Sequence, residues 1–523
     1  MHTRIHLAIV TALLALVPAC ASEGGTPENT PDPVTVSAQS QESRATRHGR
    51  DVWFNKTFGG EKFFSFLAAH PDPAKRINIG FAEVMNTPRA ERFARWGTIN
   101  NPDCRANPAG GADLCPDPTD TGVIGIKKFP GPSGTTMFGV TCASCHAGFD
   151  PVWPPADPAE PRWHNIHPTI GNQHLMSGKI FSVNLAPTDV RRFMFDAWPA
   201  GTVDTTALFN DGIMNPGVIT AFWEHPSRPR FDVGMSEPKM RNGQGGEDDV
   251  GGDLAAVRVY TNIGVCFAEC VAPRAATDPR GPRPDPNAPI DLAQCKRDCA
   301  DFPPQADLDD MGDFLASVPA PRYPSIPWQV GSYLRGRGVF EQSCAGCHDN
   351  DGRRRNVLTN DEVNPIVDNP AQSTNTCRAR TTNWDAGKLW AAFSSDLYKA
   401  RGAAGDKGYR TMPLAGIWAT APFLHNQAIG GWTAPEASPW ERGDGYRAAM
   451  LELLSATRTP KVFVMPVAFG PIPAGTPLHY IFSKNQATGE LLCDDLVENR
   501  GHTYGSELSA RDKDALIYWL QFQ

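Results

Sequence analysis

Apolar residues recur at helical spacing in two segments, and each segment is predicted to be the closing helix of a domain. In ADLDDMGDFLASV the recurring positions are Leu308, Met311, Leu315 and Val318. In LSARDKDALIYWLQ the helix is predicted to start at a capping box formed by Ser509 and Asp512. A third helix is predicted over VGSYLRGRGVFEQS, where Gly338 and Phe340 stand shortly before a cysteine.

The longest apolar run stands near the start of the chain, from Ile5 to Val17. It is too short for a membrane span and has the length of a signal-peptide core. Because it leads into VPAC, we predict a lipoprotein-type signal peptide over 1–20, with Cys20 lipidated. Ordinary cleavage near Ala19 or Ala21 is the alternative.

Composition divides the rest of the chain into a tether and two domains. Residues 21–49 are rich in Ser, Thr, Pro, Gly and Glu and predict a disordered tether. Prolines concentrate again in PAPRYPSIP, which predicts a stiff linker. The predicted domains are therefore 50–320, which is loop-rich, and 328–523. The net charge of −8 is spread without basic blocks, so nucleic-acid binding is not expected.

The segment TCASCHAG carries two cysteines and an adjacent histidine, at Cys142, Cys145 and His146. The same spacing recurs in EQSCAGCHDN, at Cys344, Cys347 and His348. With 13 cysteines and 13 histidines in 523 residues, chance predicts about 0.01 such triplets, so two copies indicate a function. C-x-x-C-H is the attachment pattern of c-type haem, in which both thiols form thioethers and the histidine ligates the iron.

Two other interpretations of this motif are weaker. A zinc site needs further cysteine or histidine ligands at a short spacing, and neither copy has them nearby. A thioredoxin-like dithiol does not explain the histidine that follows each second cysteine. We therefore predict two covalently bound haems in a mainly α protein, with two cytochrome c-like haem domains and long irregular loops.

The remaining cysteines predict disulfides, since haem attachment takes place in an oxidising compartment. The twin segments CFAEC and CKRDC contain Cys266, Cys270, Cys295 and Cys299. An antiparallel helical hairpin would pair Cys266 with Cys299 and Cys270 with Cys295; the other pairings and a zinc site stay open. Cys104 and Cys115 are predicted to close a small loop, which leaves Cys377 and Cys493 for each other.

Two stretches resemble a known family. RTMPLAGIWATAPFLHNQ, at 410–427, resembles a segment of the bacterial di-haem cytochrome c peroxidase superfamily, and most closely its latex-cleaving branch, the di-haem rubber oxygenases. GHTYGSELSARDKDALIYWL, at 501–520, resembles the C-terminal segment of that branch. Gln427 stands where the superfamily usually has glycine. Pro439 stands roughly where the true peroxidases carry their electron-transfer methionine.

The resemblance implies roles for particular residues. His146 and His348 correspond to the proximal ligands, and His502 to the distal ligand of the second haem, with His425 and Met412 as rivals. Phe222 and Trp223 resemble an aromatic pair beside the oxygen-binding haem of the rubber oxygenases.

Other candidates come from position in the chain. Glu247, in GQGGEDD, is a candidate acid/base that would move a proton between peroxide oxygens, although a solvated acidic loop is the plainer interpretation. Three histidines that follow the first motif could reach a haem edge or lie at the surface: His164, His167 and His174.

Three functions are compatible with these features. The first is an exported oxidoreductase with a reactive N-terminal haem that uses O2 or H2O2 and an electron-transfer C-terminal haem. The others are a pure electron-transfer cytochrome with both haems six-coordinate and a haem-based sensor. Expected partners are a small redox protein or a quinol-linked donor, or an apolar small molecule or polymer as substrate. Ca²⁺ is a candidate further cofactor, and the expected location is the periplasm or the outer cell surface, held by a lipid anchor.

Overall fold

The structure is a computed structural model that describes residues 42–70, 73, 76–204, 216–223, 304–346, 348, 414–482 and 496–523. The described helices are α1 (Arg44–Asn55), α2 (Gly60–Ala68), α3 (Phe81–Asn86), α4 (Arg89–Trp96), α5 (Ala143–His146), α6 (Ser177–Ser182), α7 (Val190–Asp196), α8 (Gln305–Ser317), α9 (Val330–Ser343), α10 (Pro439–Leu453), α11 (His479–Phe482) and α12 (Ala510–Leu520). None of these helices has the length and apolar content of a membrane-spanning segment.

The described strands are short and pair into three antiparallel two-stranded sheets. They are β1 (Ile126–Pro130) with β2 (Thr136–Val140), β3 (Gly148–Phe149) with β4 (Ile166–His167), and β5 (Thr202–Val203) with β6 (Gly217–Val218). Several predictions fall outside the described residues: the signal peptide with Cys20, Glu247, the hairpin of Cys266, Cys270, Cys295 and Cys299, the Cys377–Cys493 pair, Cys347 and Met412.

The first helix begins earlier than the predicted end of the tether. Helix α1 starts at Arg44, inside the range 21–49, because the Ser43 side chain accepts a hydrogen bond from the Thr46 N–H and caps the helix. Val52 and Trp53 on this helix are buried and tie it to the protein body.

Helices α1 and α8 cross at close range. A Cβ added at Gly49 would collide with the carbonyl oxygen of Asp310, so the two backbones touch at this point. His48 bonds the Asp310 carboxylate through Nδ1 at 2.7 Å beside the contact. Of the apolar positions predicted for α8, Met311, Leu315 and Val318 are buried here, and Phe314 is buried beside them.

Helices α9 and α12 cross in the same manner near the second C-x-x-C-H motif. A Cβ at Gly336 would collide with the carbonyl oxygen of Ala515, whereas one at Gly338 would meet nothing. The glycine that permits the crossing is therefore Gly336. Phe340 packs on Trp519 with ring centres 4.6 Å apart, and Ser509 caps α12 through the Asp512 N–H as predicted.

The two predicted domains share their apolar cores, and Ser43–Gln523 form one contact unit. A cluster built mainly from residues 63–219 also contains Met465, Leu478 and Phe482. A second cluster, built mainly from residues 339–520, contains Ile170. The proline-rich linker is packed as well, since Pro321 accepts a hydrogen bond from the Trp418 indole at 2.8 Å.

The predicted Cys104–Cys115 disulfide is present. Its loop carries Asp113, whose carboxylate is buried against the guanidinium groups of Arg89 and Arg92 on α4, at 2.9 and 2.7 Å. Both arginines also donate to backbone carbonyls, including those of Asn101 and Thr87. The disulfide loop thereby supplies the counter-charge for two buried cations.

The glycine contact of α9 and α12 predicts a large difference between two nearby substitutions. Gly336→Ala should lower the free energy of unfolding by about 1–3 kcal/mol or more, because the added methyl forces the helices apart. Gly338→Ala is the matched control on the same helix. It should leave the free energy of unfolding unchanged or raise it by up to about 1 kcal/mol. Denaturant unfolding of both variants measures the difference, and equal effects would show that the crossing does not depend on Gly336.

Candidate haem sites

The first C-x-x-C-H motif forms a single helical turn. Cys142 precedes α5, and its carbonyl accepts the His146 N–H at 3.1 Å. Neither Cys142 nor Cys145 is in a disulfide. Burial raises the pKa of the Cys142 thiol to about 12 and raises that of Cys145. A thioredoxin-like dithiol requires a lowered pKa, so these thiols do not have that character.

The His146 imidazole is oriented by a backbone carbonyl. Its Nδ1 lies 2.9 Å from the Thr220 carbonyl oxygen, which can only accept a hydrogen bond, so Nδ1 carries the proton. Nε2 is then the nitrogen that can ligate a metal. The ring packs on Phe222, with centres 4.4 Å apart, and on Trp53, at 5.6 Å. The chain therefore fixes both the tautomer and the plane of this imidazole.

Phe222 and Trp223 contact different parts of the protein. Phe222 lies against His146 itself, and therefore on the proximal side of any iron that His146 ligates. The Trp223 indole N–H donates to the Ala415 carbonyl at 3.1 Å, and Gly416 lies against its ring. The predicted aromatic pair is thus divided between the first motif and the segment that begins at Leu414.

The three histidines after the first motif have different environments. His164 is exposed. His167 is buried, accepts the Thr169 N–H at 3.3 Å and packs edge-on against Trp223; burial lowers its pKa. Burial, followed by the charge of Arg442, lowers the pKa of His174 to about 4. His167 and His174 are therefore neutral near pH 7.

The second motif follows directly on α9. Cys344 forms the C-cap of that helix, and the His348 N–H donates to the Cys344 carbonyl at 2.8 Å. The His348 and His502 ring centres are 6.2 Å apart. Two imidazoles on opposite sides of one metal ion, with bonds of about 2.0 Å, place their ring centres roughly 6.3 Å apart. The observed spacing matches that arrangement.

His502 has the protonation state that metal ligation requires. Burial, followed by the proximity of His348, lowers the pKa of His502 to about 4, so the imidazole is neutral near pH 7. Its Nδ1 atom is buried and has no hydrogen-bond partner among the described residues. The backbone of His502 is left-handed, with φ of 48°, directly after Gly501 at 85°.

Arg458 fixes the backbone around His502. Its five N–H donors bond five carbonyl oxygens, those of Glu452, Leu453, Asn499, Gly501 and His502, at 2.5–3.1 Å. Two of these carbonyls belong to the C-terminal end of α10 and three to the segment that carries His502. A single guanidinium thereby joins the His502 turn to a helix.

The segment TAPFLHNQ is a tight turn with two non-glycine residues in left-handed conformation, Leu424 at φ 69° and Gln427 at 55°. Gln427 thus holds a left-handed φ that glycine adopts without strain. His425 is buried, and its carbonyl accepts the Val218 N–H at 2.5 Å. Asn426 bonds the buried Glu498 carboxylate at 2.8 Å.

Some residues that position the candidate haem ligands are absent from the sequence-based predictions. Trp53 and Thr220 contact His146 from positions 74 or more residues away in the chain, and no local pattern marks either of them. Arg458 stands in an unremarkable polar loop. No group of three or more candidate metal-ligating side chains occurs within the described ranges, and Ca²⁺ stays a prediction.

Comparison with known proteins gives one family match. The family model described as RoxA-like, cytochrome c-like matches residues 408–430, which include the TAPFLHNQ turn. No curated protein matches the chain. The match supports a relationship to the di-haem cytochromes of the rubber oxygenase type, and it supports haem as the cofactor.

Proposed function

We propose that the chain is an exported di-haem c-type cytochrome that acts as an oxidoreductase. Cys142 with Cys145 and Cys344 with Cys347 each attach one haem, and His146 and His348 are the proximal ligands. The repeated motif supports this assignment, as does the Thr220 carbonyl, which leaves His146 Nε2 available for iron. The lipid anchor at Cys20 and a periplasmic or cell-surface location complete the proposal.

The second haem would be held by two histidines, His348 and His502, which would leave its iron no open position. The 6.2 Å between their ring centres is the observation that carries this assignment. The neutral state of His502 supports it. An iron with two imidazole ligands is suited to electron transfer and not to binding a small oxidant.

The first haem is the reactive one. A bound haem supplies one-electron chemistry and, where an axial position is open, activation of O2 or peroxide. Trp53 and Phe222 pack against the His146 imidazole and hold its plane, and the Thr220 carbonyl increases its basicity. Trp223, next to Phe222 and hydrogen-bonded to Ala415, connects this site with the family-matched segment.

The substrate class depends on the side of the first haem opposite His146. We favour the oxygenase-like alternative, in which an apolar small molecule or polymer is oxidised with O2. It is supported by the RoxA-like match and by the absence of a methionine at position 439. A peroxidase would need an acid/base such as Glu247 and a small redox protein or quinol-linked donor.

We expect two haems per chain with different ligand states. Mass spectrometry should find two covalently attached haems. EPR of the oxidised protein should show one low-spin centre whose signal does not change when cyanide or imidazole is added. The other centre should respond to both ligands. Two low-spin haems that are indifferent to small ligands would instead establish a pure electron carrier, and a single haem would overturn the proposal.

His502→Ala should convert the second haem from low spin to high spin, because it removes one axial ligand. Its midpoint potential should also shift, since axial ligands set haem potentials over a range of about 0.8 V. His425→Ala is the comparison variant and should leave the spin state of that haem unchanged. The opposite result would assign the ligand to His425.

Arg458→Gln should loosen the His502 turn and convert part of the second haem to high spin, while lowering the free energy of unfolding by about 2–3 kcal/mol. Guanidinium ion at a non-denaturing concentration should restore the low-spin signal, since it can reoccupy the same carbonyl oxygens. Arg337→Gln, an exposed position on α9, is the control. A loss of stability with no change in spin state would show that Arg458 has no role in positioning His502.

A further inference from the structure

Arg442, on α10, is a buried cation with few contacts. Its residue is 6 % exposed, and its Nε atom is buried with no hydrogen-bond partner in the described part of the chain. The Nη2 group reaches the Ala434 carbonyl at 3.4 Å, near the limit of hydrogen bonding. Burial lowers the pKa of this guanidinium to about 10, so it is still charged near pH 7.

A comparison within the same protein shows how uncommon this environment is. Arg92 is fully buried, and its guanidinium is paired with the Asp113 carboxylate and with several backbone carbonyls. An uncompensated buried charge is costly, and buried arginines are therefore normally paired. Arg442 has the planar set of donors that binds a carboxylate in bidentate fashion, and no carboxylate in the described ranges forms that pair with it.

The surroundings of Arg442 include residues that follow the first C-x-x-C-H motif in the chain. The guanidinium is attracted by Asp150 and lowers the pKa of His174, so both side chains lie near it. Val152 and Ile170 pack in the same apolar cluster as Tyr446, one turn along α10. The next residue after Ile170, Gly171, donates its N–H to the His146 carbonyl at 2.7 Å.

Asp150 is engaged elsewhere. Its Oδ1 atom accepts the N–H groups of Val152 and Trp153 at 2.7 and 2.9 Å. It offsets part of the charge on Arg442 without forming the bidentate pair. No carboxylate among the described residues is hydrogen-bonded to the remaining donors, which can therefore take a carboxylate of a bound group.

We propose that Arg442 binds a propionate carboxylate of the haem attached at Cys142 and Cys145. The inference rests on the proposed function, because it requires a haem at the first motif. It makes α10, a helix of the C-terminal region, a determinant of the redox potential of the N-terminal haem. A guanidinium at the propionate favours the reduced iron, since it offsets negative charge that otherwise stabilises the ferric state.

The test uses Arg442→Gln in the full haem-loaded protein, with Arg447→Gln as the control. Arg447 is on the same helix but exposed and paired with Asp514 at the surface. In Arg442→Gln the midpoint potential of the first haem should fall. The second haem, whose potential shifts in His502→Ala, should keep its potential. The propionate bending band in the resonance Raman spectrum should shift as well. Arg447→Gln should change neither.

Mass spectrometry separates this proposal from the proposed function, since both haems should stay attached in Arg442→Gln. If that variant does not fold, Arg442→Lys takes its place in the test. Lysine keeps the positive charge but loses the bidentate donors, so the Raman band should shift while the midpoint potential changes little. The proposal would be overturned if the Raman band and both midpoint potentials of Arg442→Gln equalled those of Arg447→Gln. An effect on stability that Asp150→Asn reproduces in full would also overturn it, since that would make Asp150 the true partner.

Discussion

Direct contact between helix backbones, permitted by a glycine on one helix of each pair, positions both C-x-x-C-H motifs. Gly49 lets α1 touch α8, and four residues later the same helix presents Trp53 to His146. Gly336 lets α9 touch α12, and four residues later Phe340 packs on Trp519. Because α9 runs directly into Cys344, the geometry of this crossing is passed on to the second motif.

Features with a local cause could be predicted from the sequence. The helices that contain Leu315 and Leu520 follow from apolar spacing, the start of α12 follows from its serine cap, and the Cys104–Cys115 pair follows from proximity in the chain. Features that depend on distant contacts could not. Which glycine stands at the crossing of α9 is decided by where the Ala515 carbonyl lies, and sequence spacing does not contain that information.

The candidate sites show the same division. The motif histidines are marked by their spacing, whereas the Thr220 carbonyl that orients His146 is a backbone atom and has no signature in the sequence. Phe222 and Trp223 are neighbours in the chain, yet one lies on His146 and the other on Ala415, because a peptide turn can direct adjacent side chains to different partners. The N-terminal and C-terminal regions are joined here and through the Val218–His425 hydrogen bond.

The Asp113 ion cluster links disulfide formation to the burial of charged side chains. The carboxylate that compensates Arg89 and Arg92 stands on a loop closed by a disulfide. In a reduced chain that loop explores more conformations, and holding Asp113 against the two guanidinium groups costs more conformational entropy. Oxidation of this pair of thiols therefore favours burial of α4, and burial of α4 equally favours oxidation, so the stability of the N-terminal region is linked to the redox state of its surroundings.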